Sequence, residues 1–222
     1  MDTPAAPDPL LLTCALGIEH LALRRGPGRG PGRADPNGGT GPGNVRLLRT
    51  GMGAQAARRA MTQALAREAV PGGTAVLATG FCAGLVPGMR PGDLVVAAET
   101  RDPRGRTPCT GTGLLADALA GYGTVHVGPL AGTDQLVRGR ARAALHETGA
   151  IAADMESAAT LDAAAAGTAR RPVAAVRVVV DAPGHELIRI GTLRGGISAF
   201  RVLRGVLPAF LEWHRSLLLP WR

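Results

Sequence analysis

Two continuous apolar runs, LLLTCAL from Leu10 to Leu16 and VAAVRVVVD from Val173 to Asp181, most restrict the folds open to this chain. A strand with one wet face alternates apolar and polar residues. A run without alternation therefore predicts a strand covered on both faces, in a parallel or mixed sheet with helices above and below. VRLLRTG, TAVLATG, the segment after Pro91-Gly92-Asp93, TVHVGPL and GAIAAD read as further strands, with glycine-rich turns at Thr50–Gly53 and Thr79–Gly84. Helical segments lie between them. GIEHLAL opens one at Gly17; Ala57, Ala60, Met61, Ala64 and Leu65 mark the buried stripe of a second; Gln135 to Glu147 and the alanine-rich segment from Ser157 supply two more. A last helix is expected from near Thr192 through ISAFRVLRGVLPAFLEWHRSLLL. The expected architecture is α/β, a three-layer α/β/α sandwich around a central mixed β-sheet.

With 222 residues, 45% of them hydrophobic, the chain can bury one ordinary core, so residues 1–222 are read as a single domain. Residues 1–9 are read as a flexible leader and 24–44 as a mobile Gly/Pro/Arg-rich insertion, too rich in breakers to pack. No apolar run approaches the roughly 18 residues of a membrane span, and no charged n-region with an apolar h-region opens the chain. A cytoplasmic protein is expected.

The formal charge of +8 invites a nucleic-acid reading, but six arginines against one aspartate between residues 24 and 49 place +5 of it in the insertion and its flank. No nucleic-acid partner is expected. All 25 basic residues are arginine, and a chain without lysine has no Schiff-base nucleophile, pyridoxal phosphate anchor or P-loop. Cys14, Cys82 and Cys109 form neither a disulfide framework nor a zinc spacing, so no metal and no organic cofactor is expected. His126, His146 and His214 show no pairing in the sequence, and His185 follows a Pro-Gly turn.

In α/β sheets ligands gather at the carboxyl ends of the strands. Those ends carry Glu19, Thr50 to Gly53, Thr79 to Gly84, Asp154 with Glu156, and Asp181. Asp154 and Glu156, in AADMESAAT, also suit a simple helix start, where the dipole and first-turn amides stabilise carboxylates. Several carboxylates without lysine or metal ligands suit glycosidic bond cleavage, in which one acid protonates the leaving group and another handles the nucleophile.

The motifs CALGIE, RTGMG, ATGFCAGL followed by PGD, GPLAGTDQLV, AADMESAA and VRVVVD resemble, in order, those of the purine nucleoside phosphorylase and nucleosidase superfamily. The likeness is to its branch containing methylthioadenosine/S-adenosylhomocysteine nucleosidase. It implies Asp181 as the acid that protonates N7 of the purine, which a carboxyl group can do only if burial keeps a proton on it. Glu19 would activate the attacking water, Glu156 would hold the ribose hydroxyls and Met155 would pack on the sugar. Gly80 and Phe81 fall in the substrate-facing ATGFCAGL segment, and the backbone at Leu136 and Val137 would hold the base. Phe81 stands where the nucleosidases carry serine, Leu136 where they carry an aromatic residue, and Val180 where a small polar residue precedes the acid.

The phosphate-using members carry an early arginine, which the stretch from Leu10 to Leu23 lacks, so water is the expected nucleophile. Phosphate as co-substrate stays open through an anion site at Thr50, Gly51 and Thr79, or at an arginine such as Arg49. The last helix appears apolar on more than one face: Ile197, Phe200, Leu203, Leu207, Phe210 and Leu211 make one, and Val202, Val206, Trp213 and Leu217 to Leu219 lie outside it. Core or dimer packing accounts for such a helix, and peripheral membrane contact is the alternative. The C-terminal segment, with CALGIE, TGFCAGL and MRPGDLVVA, is also similar to a hopanoid-biosynthesis-associated branch implicated in removing adenine from adenosylhopane. The resemblance thus implies a purine nucleoside substrate, possible in lipid-linked or soluble form, and a homodimer or larger homo-oligomer.

Overall fold

Parity along the apolar runs decides which layer each side chain meets. A computed structural model describes residues 9–26, 45–68, 70–167, 171–183 and 192–218, with the side chains of 192–195 excepted. Residues 1–8, most of the insertion, and His185 lie outside the described residues. In chain order the elements are β1 (Leu10–Cys14), α1 (Gly17–Arg24), β2 (Val45–Arg49), α2 (Ala54–Leu65), β3 (Ala75–Gly84), β4 (Leu94–Asp102), β5 (Gly105–Pro108) and α3 (Thr112–Leu119). There follow β6 (Val125–Gly132), α4 (Gly139–Glu147), β7 (Ala152–Asp154), α5 (Ser157–Ala165), β8 (Val173–Asp181), α6 (Thr192–Gly205) and α7 (Leu207–Leu218).

The sheet is mixed, as expected. β1 lies parallel between β2 and β3, and β3 runs parallel to β8 from Val76↔Val173 to Ala83↔Asp181. β8 is antiparallel to β4, which pairs in parallel with β6; β6 pairs in parallel with β7, and β7 returns antiparallel to β3. Five strands therefore close into a ring, with β1 and β2 extending from β3, and β5 from β4. The register shifts between Cys82 and Ala83, and again between Ala97 and Glu99. At the first shift the extra residue is Val180 in β8 and at the second Ala98 in β4, and an extra residue bends the strand that carries it.

Leu10, Leu12, Leu77, Leu94, Val176 and Val178 face one layer with Leu23, Leu119, Leu203 and Trp213. Leu11, Val76, Ala78, Val95, Ala175 and Val179 face the other with Met61 and Leu161. Consecutive residues of one run thus feed opposite cores, the structural meaning of a run that never alternates.

Three expectations change. The Thr79–Gly84 segment is not a turn: β3 continues through it to Gly84. The helix expected from Gln135 begins only at Gly139, after an extended Arg138. The C-terminal helix is two helices separated at Val206. Pro208 has no N–H to donate and its ring would crowd the carbonyl of Arg204, so one continuous helix cannot pass. The break turns Val206 and Trp213 into the core, where both are fully buried, while Ile197 is exposed. The apolar surface outside the main stripe, which raised membrane contact, is in large part core packing. Among the described residues no helix is long and apolar enough to cross a membrane.

The strand expected after Pro91-Gly92-Asp93 is β4, whereas β5 and α3 have no counterpart among the elements expected from the sequence. Gly111, at φ +64, begins α3 against the indole of Trp213, whose Nε1 donates to Thr110 O at 3.0 Å. Trp213→Ala is expected to lower the unfolding free energy by about 3–5 kcal/mol, through lost burial and a cavity between α3 and α7. Urea unfolding measures it, and a loss below about 1 kcal/mol would contradict this packing.

Candidate active site

At the middle of β8 the apolar run places Arg177 inside the protein, with 2% of its surface exposed. Its Nε donates to Ser157 Oγ at 2.8 Å, its Nη1 to Thr79 O at 2.9 Å, and its Nη2 lies 2.5 Å from Asp154 Oδ2. Burial works against a charge here, but Asp154, Glu156 and Glu19 outweigh it and hold the guanidinium protonated beyond its ordinary range. Asp154 also accepts the Ser157 N–H, at 3.0 Å to Oδ2 and 3.3 Å to Oδ1, so it is the helix-start carboxylate anticipated from AADMESAAT. It is in addition one half of a fully buried ion pair.

Glu19, in the first turn of α1, folds back so that Oε2 accepts from Ala15 N at 2.9 Å and Leu16 N at 2.8 Å. Oε1 accepts from Phe81 N at 2.8 Å. A carboxylate has about four acceptor positions, so three fixed donors orient the group and leave room for one more, such as water. A Cβ at Gly80, whose φ is +135, would meet Glu19 Oε1 and come within 2.6 Å of Arg177 Nη1. Only glycine lets β3 pass that close to the two groups. Gly80 therefore shapes the site without lining the cavity.

Glu156 precedes α5 and accepts from Gly53 N at 2.8 Å, tying the loop after β2 to the site. Burial pushes its carboxyl above the ordinary value of 4.5, Asp154 and Glu19 adding to the effect and Arg177 and the Gly53 N–H opposing it. Asp181 ends β8, with Oδ2 at 2.5 Å from Arg142 Nη2 and Oδ1 without a hydrogen-bond partner among the described residues.

These groups surround a cavity of about 240 Å³. Glu19, Phe81, Leu136, Val137, Met155, Glu156 and Asp181 all line it, joined by Ala15, Leu16, Met52, Cys82, Ala83, Thr133, Gln135, Ala153, Asp154 and Val180. Thr50, Gly51 and Thr79, considered for an anion, are not on its wall. The Thr50 hydroxyl is turned to Cys14 O at 3.3 Å and Gly51 O at 3.0 Å, and Thr79 is fully buried in β3. His126, expected to be unpaired, faces Asp93 Oδ2 at 2.9 Å and does not line the cavity.

Two buried arginines, Arg177 and Arg142, were missed as site residues. Arg177 had a signal, a charge in the middle of the most β-prone run of the chain. Arg142 had none, being one of three arginines spaced two apart in VRGRAR.

The upward shift of Glu156 sets an expected pH dependence. Between 4.5 and its folded value the native state binds the extra proton, so this contribution to stability is present below 4.5 and is lost as pH rises through that window. Glu156→Gln is expected to melt at a higher temperature than the natural protein at pH 7 and to lose that advantage at pH 4. Melting curves at the two pH values check it, and an advantage that grew on acidification would have the wrong sign.

A family model described as Phosphorylase superfamily matches residues 38–191. No curated protein matches the sequence. Among solved structures the chain is similar to the 5'-methylthioadenosine/S-adenosylhomocysteine nucleosidase of Neisseria meningitidis in complex with methylthio-immucillin-A. The TM-score is 0.72 at 17% identity, covering 95% of this chain and 99% of the other. The Streptococcus pneumoniae MTA/SAH nucleosidase in complex with 8-aminoadenine gives a TM-score of 0.71 at 20% identity, covering 92% and 99%. A putative methylthioadenosine nucleosidase from Weissella paramesenteroides gives 0.74 at 17% identity, covering 96% and 99%. The fold is shared along nearly the whole of each chain, and with a family match over more than half of its residues the chain belongs to the phosphorylase superfamily.

Proposed function

We propose that the protein is a purine nucleosidase that cleaves the N-glycosidic bond of an adenine nucleoside with water. The observation that carries this reading is the meeting of Glu19, Glu156 and Asp181 on one small cavity, with Asp181 Oδ1 left without a hydrogen-bond partner among the described residues. Asp181 donates a proton to N7 of the base as the C1'–N9 bond breaks and its electron pair passes into the purine. The sugar that remains is oxocarbenium-like. Water adds to C1' and gives its proton to Glu19, which the three backbone donors hold in place. Glu156 binds the ribose hydroxyls, Met155 packs on the sugar, and the backbone at Leu136 and Val137 holds the base. The absence of Thr50, Gly51 and Thr79 from the cavity wall favours water over phosphate.

The finer reading is adenosylhopane as substrate, giving ribosylhopane and adenine. Met52 and Leu136 support it: each lines the cavity and is yet 65% and 69% exposed, so its mouth is apolar where a greasy 5' substituent would leave it. A homodimer is part of the same reading, with Ile18 and Leu21 exposed three residues apart on α1.

Adenine release from adenosylhopane, methylthioadenosine and S-adenosylhomocysteine, each with and without phosphate, tests these statements together. Phosphate-independent release from adenosylhopane, faster than from the soluble nucleosides, is expected. Release only from the soluble nucleosides would remove the lipid-linked substrate, and no release from any of them would remove the enzymatic reading. Asp181→Asn is expected to lower turnover about 10²- to 10⁴-fold with the fold intact by circular dichroism; near-normal turnover would take the acid role away from it.

A further inference from the structure

Helix α4 is built inside out. Of its nine residues Arg142 is the buried one, while Ala141, Ala143 and Ala144 face solvent. An arginine at the inward position of a helix that has alanines to spare is costly to desolvate, so something at that position uses the charge. What it meets is the cavity's acid. Arg142 Nη2 is 2.5 Å from Asp181 Oδ2, both side chains are more than nine-tenths buried, and the same nitrogen comes within 3.5 Å of Val137 O in the cavity-lining loop ahead of α4.

From this arrangement we infer that Arg142 is a positioning residue for the glycosidic cleavage, acting through Asp181, an inference that rests on the nucleosidase reading above. Tethering Oδ2 fixes the rotamer of Asp181 and leaves Oδ1 as its oxygen without a partner among the described residues. When the proton moves from Oδ1 to N7 and the C1'–N9 electron pair passes into the base, the carboxyl becomes an anion. The guanidinium is already beside it, so the new charge is stabilised without any reorganisation. Through the Val137 carbonyl the same side chain links the base-holding loop to the acid, so the atom that donates the proton and the backbone that positions its acceptor share one anchor. The arginine itself does not line the cavity.

The test is a double-mutant cycle read as adenine release from whichever of adenosylhopane and methylthioadenosine the natural protein cleaves. Arg142→Met alone is expected to lower kcat about 30- to 1,000-fold with KM changed less than about threefold. In the Asp181→Asn background the same substitution is expected to cost less than about threefold, because the group it acts through is already gone. Arg142→Lys, which restores a cation at that position, is expected to recover at least about tenfold of the loss. A merely structural arginine would cost the same factor in both backgrounds, and that additive result overturns the inference. If Arg142→Met gives no cooperative melt, Arg142→Lys carries the cycle: a loss confined to the background with Asp181 intact supports the role, and equal losses overturn it. No adenine from the natural protein would instead defeat the nucleosidase reading itself, an outcome separate from either of these.

Discussion

The ion pair between Arg177 and Asp154 sets the terms for everything around it. Two full charges lie at the junction of β8 with the start of α5, shut away from water, where leaving either without its partner is typically several times worse than losing a surface contact. Each of the three guanidinium nitrogens meets a neighbour fixed in place. Ser157 comes from α5, Asp154 from β7 just before it and Thr79 from β3, so one side chain in β8 fastens the β7–α5 junction to a strand far earlier in the chain, Thr79 and Asp154 being 75 residues apart. Such a pair adds less to stability than apolar residues of the same volume could. Its presence is better explained by what it allows, which is the packing of further carboxylates around one cation.

Gly80 shows how far that constraint reaches. β3 would be an ordinary central strand if its sixth residue carried a side chain, but Glu19 and Arg177 occupy the space that side chain needs. The strand therefore gives up packing at one position to bring its backbone against the carboxylate, and the next amide, at Phe81, becomes a donor to Glu19. Beyond it the strand pairs with β7 at Ala83 and Gly84, which brings AADMES to the cavity. Ring closure of the sheet and assembly of the site are thus two effects of one strand's geometry.

Most of the frame was legible because it is written in periodicity. The unbroken runs at Leu10 and Val173 announced strands covered on both faces, and the stripe from Ala57 to Leu65 announced α2. The carboxylates were legible as well, since strand ends can be counted and acids at several of them are unusual together. What stayed hidden depends on distances no local pattern encodes. TGFCAG carries every signal of a turn, and it stays a strand only because β8 and β7 hydrogen-bond to it along its length. Gln135 to Arg138 continues a helical composition, yet it forms no helix: Gln135 to Val137 line the cavity and Arg138 is extended ahead of α4. Arg142 could not be told from Arg138 or Arg140 by any property of the sequence, because what sets it apart is a carboxylate 39 residues away.

The two buried arginines divide the carboxylates in a way that matches the chemistry. Arg177 pairs directly with Asp154 and Arg142 with Asp181, whereas among the described residues no guanidinium lies in ion-pair contact with Glu19 or Glu156. On the proposed mechanism, the pair left without a direct cation is the pair that would handle water and the ribose. Burial of its charge is the first cause of the upward push on Glu156, with Asp154 and Glu19 adding to it. On the proposed mechanism, an oxocarbenium-like sugar forming between the two carboxylates would offset that cost, so the interaction would favour the transition state over the ground state.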